Sequence, residues 1–435
     1  FQIRGGVLKK MSVLIIDGGT PLKGRVTAQG CKNSALAILA AAALCEDKVY
    51  LTNVPDIGDV KTMMGILRSL GYKVTWGNGL TIKPGVIKNY DLTHTGAGAI
   101  RGSLLFLGAL LGRLGKVVLP MPGGCNIGTR PIDLHLKGLS LMGADLDIQG
   151  GNIVGVAPGG LKGAYVYLDF PSVGATENIM IAGALANGET TIENAAQDQQ
   201  VVELGKFLMA CGVKIHGLGT KVIRVKGKKE IGGVTFRISG DSIEAGTYAI
   251  AAAATRGTIT VDGVDVTFLR PLLFKLQEAG IEVVVTNGHE VTVLPSPRPK
   301  GITIKTMPFP GFPTDLQPLM MSLLATAEGR SVITETVYDG RMGHVSELWK
   351  MGANIEVEGN TAIITGVEKL TGAPVVANNL RAGAALVVAG LSAEGRTVVY
   401  GMEHVMRGYS NIHQKLRALD AKVELVSDEE AVNIA

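Results

Sequence analysis

Charge is scarce in this 435-residue chain. Only 18% of residues are Asp, Glu, Lys or Arg, and 42 basic residues stand against 38 acidic ones, a formal net charge of +4. So small an imbalance lacks the basic footprint of a nucleic-acid-binding protein, and no nucleic-acid partner is expected. Long apolar runs are missing too. The longest, residues 35–45, is eleven residues and is closed by Glu46 and Asp47, whereas a membrane-crossing helix needs about 20. The positive mean hydropathy of +0.28 therefore points to buried helices, with no membrane partner. Cysteine is sparse: Cys31, Cys45, Cys125 and Cys211 are widely spaced and form no CxxC pair. That argues against a disulfide framework or a zinc motif and fits a reducing cytoplasm. The seven histidines show no metal-ligand spacing, and neither a P-loop, an HExxH pair nor a dinucleotide fingerprint after a strand occurs. No metal and no cofactor are expected. Residues 1–10 precede Met11, begin Phe-Gln and read as the remnant of a cleaved tag.

Glycine, in contrast, is abundant at 59 residues, and its placement is periodic. A helix-like stretch ends in an apolar residue, a Gly and then a strand at Leu70-Gly71-Tyr72, Met142-Gly143-Ala144, Cys211-Gly212-Val213, Ala279-Gly280-Ile281 and Met351-Gly352-Ala353, with Leu419-Asp420-Ala421 as a sixth copy. Successive positions lie 72, 69, 68, 72 and 68 residues apart. Glycine closing a helix before a strand accounts for the residue type. A second helix recurs earlier in each unit, starting near Asn33, Arg101, Gly174, Glu244, Thr314 and Arg381. Its faces are mostly Ala, Gly and other small apolar residues, which means burial on nearly all sides. Each unit reads strand, helix, strand, helix, strand, strand. Six such units of about 70 residues make an α/β (α+β) protein whose units must pack on one another to bury their faces.

Three features can carry chemistry. Pro122-Gly123-Gly124-Cys125-Asn126-Ile127-Gly128-Thr129-Arg130 places a thiol among glycines and beside an arginine, where a thiolate or a proton donor is favoured. Arg101, Arg341, Arg381 and Arg407 fall near helix beginnings or in Gly-containing loops, and Lys32-Asn33 occupies the matching helix start in the first unit. Helix N-termini and guanidinium forks both suit phosphate and carboxylate, so the expected ligand is a small polyanion. Asp315, in Phe312-Pro313-Thr314-Asp315 at the start of a buried helix, reads on its own as an N-terminal cap. Cys45 and Cys211 fall in apolar helical patterns and read as core.

These motifs resemble a known family. Lys32-Asn33, the cysteine loop, Arg130-Pro131-Ile132-Asp133-Leu134-His135, Ser172-Val173-Gly174-Ala175-Thr176, Phe312-Pro313-Thr314-Asp315, Arg341 with His344-Val345, Leu380-Arg381-Ala382 and Arg407-Gly408-Tyr409 look like the UDP-N-acetylglucosamine enolpyruvyl transferases. The match runs in order from Met11 to about Val426. The resemblance implies a two-domain inverse α/β barrel with helices inside. Residues 32–239 would form one three-unit domain, residues 11–31 with 240–435 the other, and the active site would lie in the cleft between them. It implies transfer of the enolpyruvyl group of phosphoenolpyruvate to the 3-hydroxyl of UDP-N-acetylglucosamine with release of phosphate, the first committed step of peptidoglycan synthesis.

By the same resemblance Cys125 would donate a proton and Asp315 would contact the acceptor hydroxyl. Lys32, Asn33, Cys125, Arg130, Arg381 and Arg407 would hold phosphoenolpyruvate, with Lys32 and Arg407 also catalytic and Arg341 lining the anionic cleft. Asn33, Arg101, Arg130, Pro131, Ile132, Asp133, Leu134, Ser172, Val173, Gly174, Asp315 and Val337 would hold the nucleotide sugar. The chain departs from the family pattern at Gln197, Asp198, Gln199, Gln200, Ser242, Phe309, Asn379, Gly340 and Gly343. Those positions leave two alternatives open: a different nucleotide acceptor, or a non-catalytic nucleotide-sugar binding protein. Nothing in the residues fixes an oligomeric state.

Overall fold

The computed structural model describes residues 12–87, 89–124, 127–128 and 130–432. Residues 1–10 and Cys125 lie outside them. The six expected helix ends all turn through a left-handed residue. Gly71, Gly143, Gly212, Gly280 and Gly352 have φ between 83° and 104°, and Asp420 has φ 66°. Five are relieved by the missing Cβ, and the sixth uses a short polar residue that tolerates this region.

Six inner helices follow the expected starts within a few residues: α1 (Lys32–Ala41), α2 (Phe106–Leu114), α3 (Val173–Leu185), α4 (Ser242–Ala254), α5 (Gln317–Leu324) and α6 (Leu380–Ser392). Tight 3-10 turns at Arg101–Leu105 and Thr314–Leu316 lead into α2 and α5. Residues 175–184 of α3 and 380–391 of α6 are buried without interruption, as small side chains permit. No helix among the described residues is long and apolar enough to cross a membrane.

Sheets wrap these helices. In the third unit, Glu189–Glu193 pairs in parallel with Tyr165–Tyr167, placing Ile192 opposite Val166. On its other side it pairs antiparallel with Val222–Lys226, placing Ile192 opposite Ile223. Ile192, Val166, Ile223 and Val225 are all buried, while the alternating residues face out, the period of a half-buried strand. Among the described residues five sheets have four strands and one has three. The second unit is the short one: its first strand is reduced to a single bridge between Asp91 and Val118. There the Asn89 and Asp91 side chains accept the backbone N–H groups of Asp91 and Thr93, and such local turns compete with a ladder.

The hydrophobic interior forms two large clusters. One runs from Cys31 to Ile238, and the other combines Leu14 to Ala28 with Ala245 to Val423. The chain passes between them at residues 29–31 and 239–241, side by side, with Cys31 N–H donating to Ser239 O and Asp241 N–H to Gln29 O, both at 2.8 Å. The strands flanking these passages are exchanged. Lys23–Thr27, which precedes α1, pairs with Thr258–Asp262 of the other cluster. Thr235–Arg237, which precedes α4, pairs with Val49–Thr52 of the first. Ser12–Asp17 completes the last unit's sheet. The crossings therefore bring the starts of α1 and α4 together, facing one cavity.

Candidate active site

A cavity of about 670 Å³ opens between the two clusters, and charged side chains from both line it. From the first side come Lys32, at the start of α1, and Asp59, in the first turn of the helix Gly58–Ser69. Asp59 Oδ2 lies 3.1 Å from Lys32 Nζ, and its Oδ1 accepts from Arg407 Nε at 3.0 Å. One buried carboxylate thus joins a cation of each cluster. Asp241 adds a further link: Oδ1 caps α4 through the Ile243 and Glu244 amides, and Oδ2 accepts from the Lys32 amide.

On the second side Asp315 is enclosed by arginines. Arg341 Nη1 and Nη2 both donate to Oδ1 at 2.8 Å, and Arg381 Nε donates to Oδ2 at 3.0 Å. Arg381 also donates to the Tyr409 hydroxyl at 3.1 Å, which meets Thr247 Oγ1 at 2.7 Å. Burial pushes the Asp315 carboxyl up, but Arg381, Arg341 and Lys32 outweigh it and hold the group well below the usual carboxylate range. The capping role read from sequence is therefore corrected. Pro313 takes the cap position and no side chain caps the turn, so the arginines claim the Asp315 oxygens.

The nucleotide-sugar candidates sit mainly on the first side. Arg101 donates to Pro131 O at 2.9 Å, and burial together with Arg130 pulls its guanidinium down to about 10. Arg130 and Arg341 both lie over the Tyr338 ring, at 5.3 and 5.1 Å. Ser172 caps α3 through the Ala175 amide. Asn33, Pro131, Asp133, Leu134, Ser172, Val173, Gly174 and Val337 all line the cavity. Ile132 does not: it is buried in the first cluster, because its side chain points to the core as Asp133–Leu141 begins. Cys125 lies outside the described residues. Its loop partners Ile127 and Gly128 rest on the turn carrying Arg341, where Gly340 N–H donates to Ile127 O at 3.1 Å. A Cβ on Gly340 would meet Gly128 N at 2.7 Å, so this unusual glycine permits the approach.

Several other departures have local reasons. Gln199 Nε2 donates to Ser239 Oγ and Gly240 O, and its Oε1 accepts from the Ser242 amide, so Gln199 and Ser242 together fasten the second crossing. Asn379 caps α6, its Oδ1 accepting from Ala382 N–H at 2.9 Å. Phe309 packs on Phe268 at 5.4 Å. Sequence reasoning missed Asp59, Glu177, Asp241 and Tyr338 as lining groups, and it read Asp198 only as a departure from the family pattern. Glu177 carried a signal, a lone acid inside an apolar helix. Asp59 did not, since acids are common in first turns. Cys45 and Cys211 are buried as expected, with sulfurs 3.9 Å apart. Among the described residues no group of three or more His, Cys, Asp or Glu is arranged to hold a metal ion.

Comparison with known proteins gives a consistent set of relatives. The model of the EPSP synthase (3-phosphoshikimate 1-carboxyvinyltransferase) family matches residues 16–416. A UDP-N-acetylglucosamine 1-carboxyvinyltransferase of Coprothermobacter proteolyticus is 97% identical over 98% of this chain and 100% of that protein. UDP-N-acetylglucosamine 1-carboxyvinyltransferase 2 of Carboxydothermus hydrogenoformans is 50% identical over 96% of this chain and all of its own length. Among solved structures, the enolpyruvyl transferase NikO from Streptomyces tendae superposes with a TM-score of 0.86 at 26% identity, covering 96% of this chain and 99% of that one.

Proposed function

Because this chain belongs to the EPSP synthase (3-phosphoshikimate 1-carboxyvinyltransferase) family, we propose that its cavity transfers the enolpyruvyl group of phosphoenolpyruvate to the 3-hydroxyl of UDP-N-acetylglucosamine. Phosphate is released, and the product feeds peptidoglycan synthesis. The observation that carries this reading is the cation set of the cavity, Lys32, Arg381 and Arg407, each already aimed at a carboxylate of the protein.

The reaction needs anions held on both substrates, a proton delivered to the methylene carbon, and a proton removed from the acceptor hydroxyl. Lys32, Arg130, Arg381 and Arg407 hold the phosphate and carboxylate of phosphoenolpyruvate, with Asn33 beside them and Arg341 steadying Asp315. Fixed charges of this kind are often the largest catalytic contribution. Cys125 supplies the proton to the methylene carbon, a role assigned from the family resemblance. Asp315 receives the acceptor hydroxyl. Arg101, Asn33, Arg130, Pro131, Asp133, Leu134, Ser172, Val173, Gly174 and Val337 hold the nucleotide sugar. In this reading residues 32–239 and residues 11–31 with 240–435 act as two domains that close over the substrates and exclude water. The two separate hydrophobic clusters support that division. We place the reaction in the cytoplasm, in keeping with the paired thiols of Cys45 and Cys211.

Phosphate release from phosphoenolpyruvate tests the reading. Release with UDP-N-acetylglucosamine, and none with UMP or shikimate-3-phosphate, is expected. Release with another acceptor instead overturns the substrate, and release with none overturns the enzyme in favour of a binding protein.

A further inference from the structure

Two carboxylates in the cavity each keep a buried oxygen without a hydrogen-bond partner. Glu177, on α3, is 6% exposed, and its Oε1 is buried without a hydrogen bond. Asp198 occupies the cap position of Gln199–Ala210 yet caps nothing, and its Oδ2 is likewise buried and unbonded. Both line the cavity that Asp315 lines from the opposite cluster. A buried acceptor without a donor costs about 1–3 kcal/mol, so its retention in a reaction cavity calls for a ligand or a proton.

Resting on the function proposed above, we infer that Asp198, backed by Glu177, is the group on which the proton of the acceptor hydroxyl comes to rest, while Asp315 positions that hydroxyl. The arginines are the reason. Both Asp315 oxygens are engaged by guanidinium groups, which favours the charged carboxylate and makes it a poor keeper of a proton. Asp198 has the opposite surroundings. Burial first, and then the Asp315 charge, push its carboxyl up to about 6, near the value at which a general base works best at neutral pH. Burial first, and then Asp198, also raise the Glu177 carboxyl well above the usual carboxylate range. The charged groups around Asp198 are Glu177 from α3, Lys32 from α1 on the same side, Asp315 with Arg341 and Arg381 from across the cavity, and Glu203 on its own helix, engaged by the Ser239 amide.

The step balances. As the acceptor oxygen bonds to C2 of phosphoenolpyruvate its O–H bond breaks, and that proton passes to the Asp198 carboxylate. The C2–C3 π electrons form a C–H bond with the proton from the acid assigned to Cys125. In the elimination the C2–O bond to phosphate breaks with its electron pair, a methyl C–H bond breaks to restore the double bond, and the thiolate takes that proton back. The proton on Asp198 leaves with the phosphate.

pH profiles of kcat and KM for the full chain, with Asp198→Asn and Asp198→Glu, test this. Asp198→Asn is expected to lower kcat about 100-fold, to change KM for the nucleotide sugar less than about threefold, and to remove the acid limb of the kcat profile. Asp198→Glu restores at least about a tenth of the rate, and thermal melting checks that both fold. Glu177→Gln supplies a second arm. A Glu177 carboxyl raised in this way is protonated where Asp198 titrates, so its neutral isostere leaves the acid limb in place and lowers kcat less than Asp198→Asn does. Wild-type kcat in Asp198→Asn, a rise in nucleotide-sugar KM at unchanged kcat, or an acid limb that stays put in Asp198→Asn would each overturn the assignment. A wild-type enzyme that releases no phosphate overturns the functional reading itself.

Discussion

Asp315 and Asp198 are the same residue type, in the same cavity, on opposite walls. Asp315 has arginine donors on both oxygens and is held below the usual carboxylate range, whereas Asp198 has a buried oxygen with no donor and is pushed up to about 6. Burial raises both; at Asp315 Arg381 and Arg341, with Lys32, reverse the sign. Environments that push two neighbouring carboxyls apart are how one site obtains a permanent anion and a titrating group at neutral pH. Asp59 differs from both in its contacts. It is engaged, but by one cation from each cluster, so its contacts depend on how the clusters meet.

The largest expected effect comes from breaking the enclosed carboxylate. Asp315→Asn leaves Arg341 and Arg381, whose side chains are only 4% and 8% exposed, without a counter-charge. Stability falls by about 3 kcal/mol, at the low end for a buried pair because the Asp315 side chain keeps 26% of its surface exposed. Phosphate release falls at least about 100-fold. Denaturant melts and single-turnover assays check both; an unchanged midpoint would show that the arginines do not need Asp315.

Asp59→Asn is expected to act on kinetics more than on stability. Arg407 is 30% exposed, so water takes over part of its solvation and the midpoint shifts by about 1 kcal/mol. Lys32 and Arg407 then present two uncompensated charges. KM for phosphoenolpyruvate falls severalfold, while kcat drops about tenfold because Arg407 is no longer drawn to Lys32 across the cavity. Steady-state kinetics at fixed nucleotide sugar decide this, and a raised KM at unchanged kcat would mean that Asp59 only shapes binding.

What the chain reveals before folding divides along the same line of local against non-local causes. The six units were legible because a helix end in the left-handed region demands Gly, or at Asp420 a tolerant polar residue, at that position alone. The exchanged strands Lys23–Thr27 and Thr235–Arg237 were legible only through the family resemblance, since both have ordinary strand patterns and their partners lie more than 180 residues away. Arg381 and Lys32 stood out as cations at the starts of buried helices, with no local reason to be there. Their carboxylate partners did not stand out, because Asp59 and Asp315 each look like first-turn acids until cations from distant stretches of chain close on them, 348 residues away for Arg407 and 66 for Arg381. Ile132 misled for a related reason: adjacency in a loop motif does not say which side chain turns to the core.

The smallest effect separates the two walls by proton uptake alone. A carboxyl raised on folding takes up protons that the unfolded chain does not, so its contribution to stability grows as pH falls through the folded value and is complete below the unfolded one. A carboxyl lowered on folding behaves oppositely, contributing fully above its unfolded value and losing that only in stronger acid. Between pH 7 and pH 5, therefore, Asp198 gains and Asp315 is silent. Asp198, moving from 3.8 to about 6, adds about 1 kcal/mol over that window at 1.36 kcal/mol per pH unit. Glu244, raised to about 7 by burial against the pull of Lys415, gains in the same direction, so the informative quantity is a difference between proteins. Asp198→Asn should show a smaller gain than wild type by about 1 kcal/mol, whereas Asp315→Asn, which removes only the lesser of the two causes raising Asp198, should keep most of the wild-type gain from a lower starting point. Denaturant midpoints at the two pH values measure it. Equal gains in wild type and Asp198→Asn would mean that Asp198 is already solvated on its wall of the cavity, and the contrast between the walls would reduce to the arginines alone.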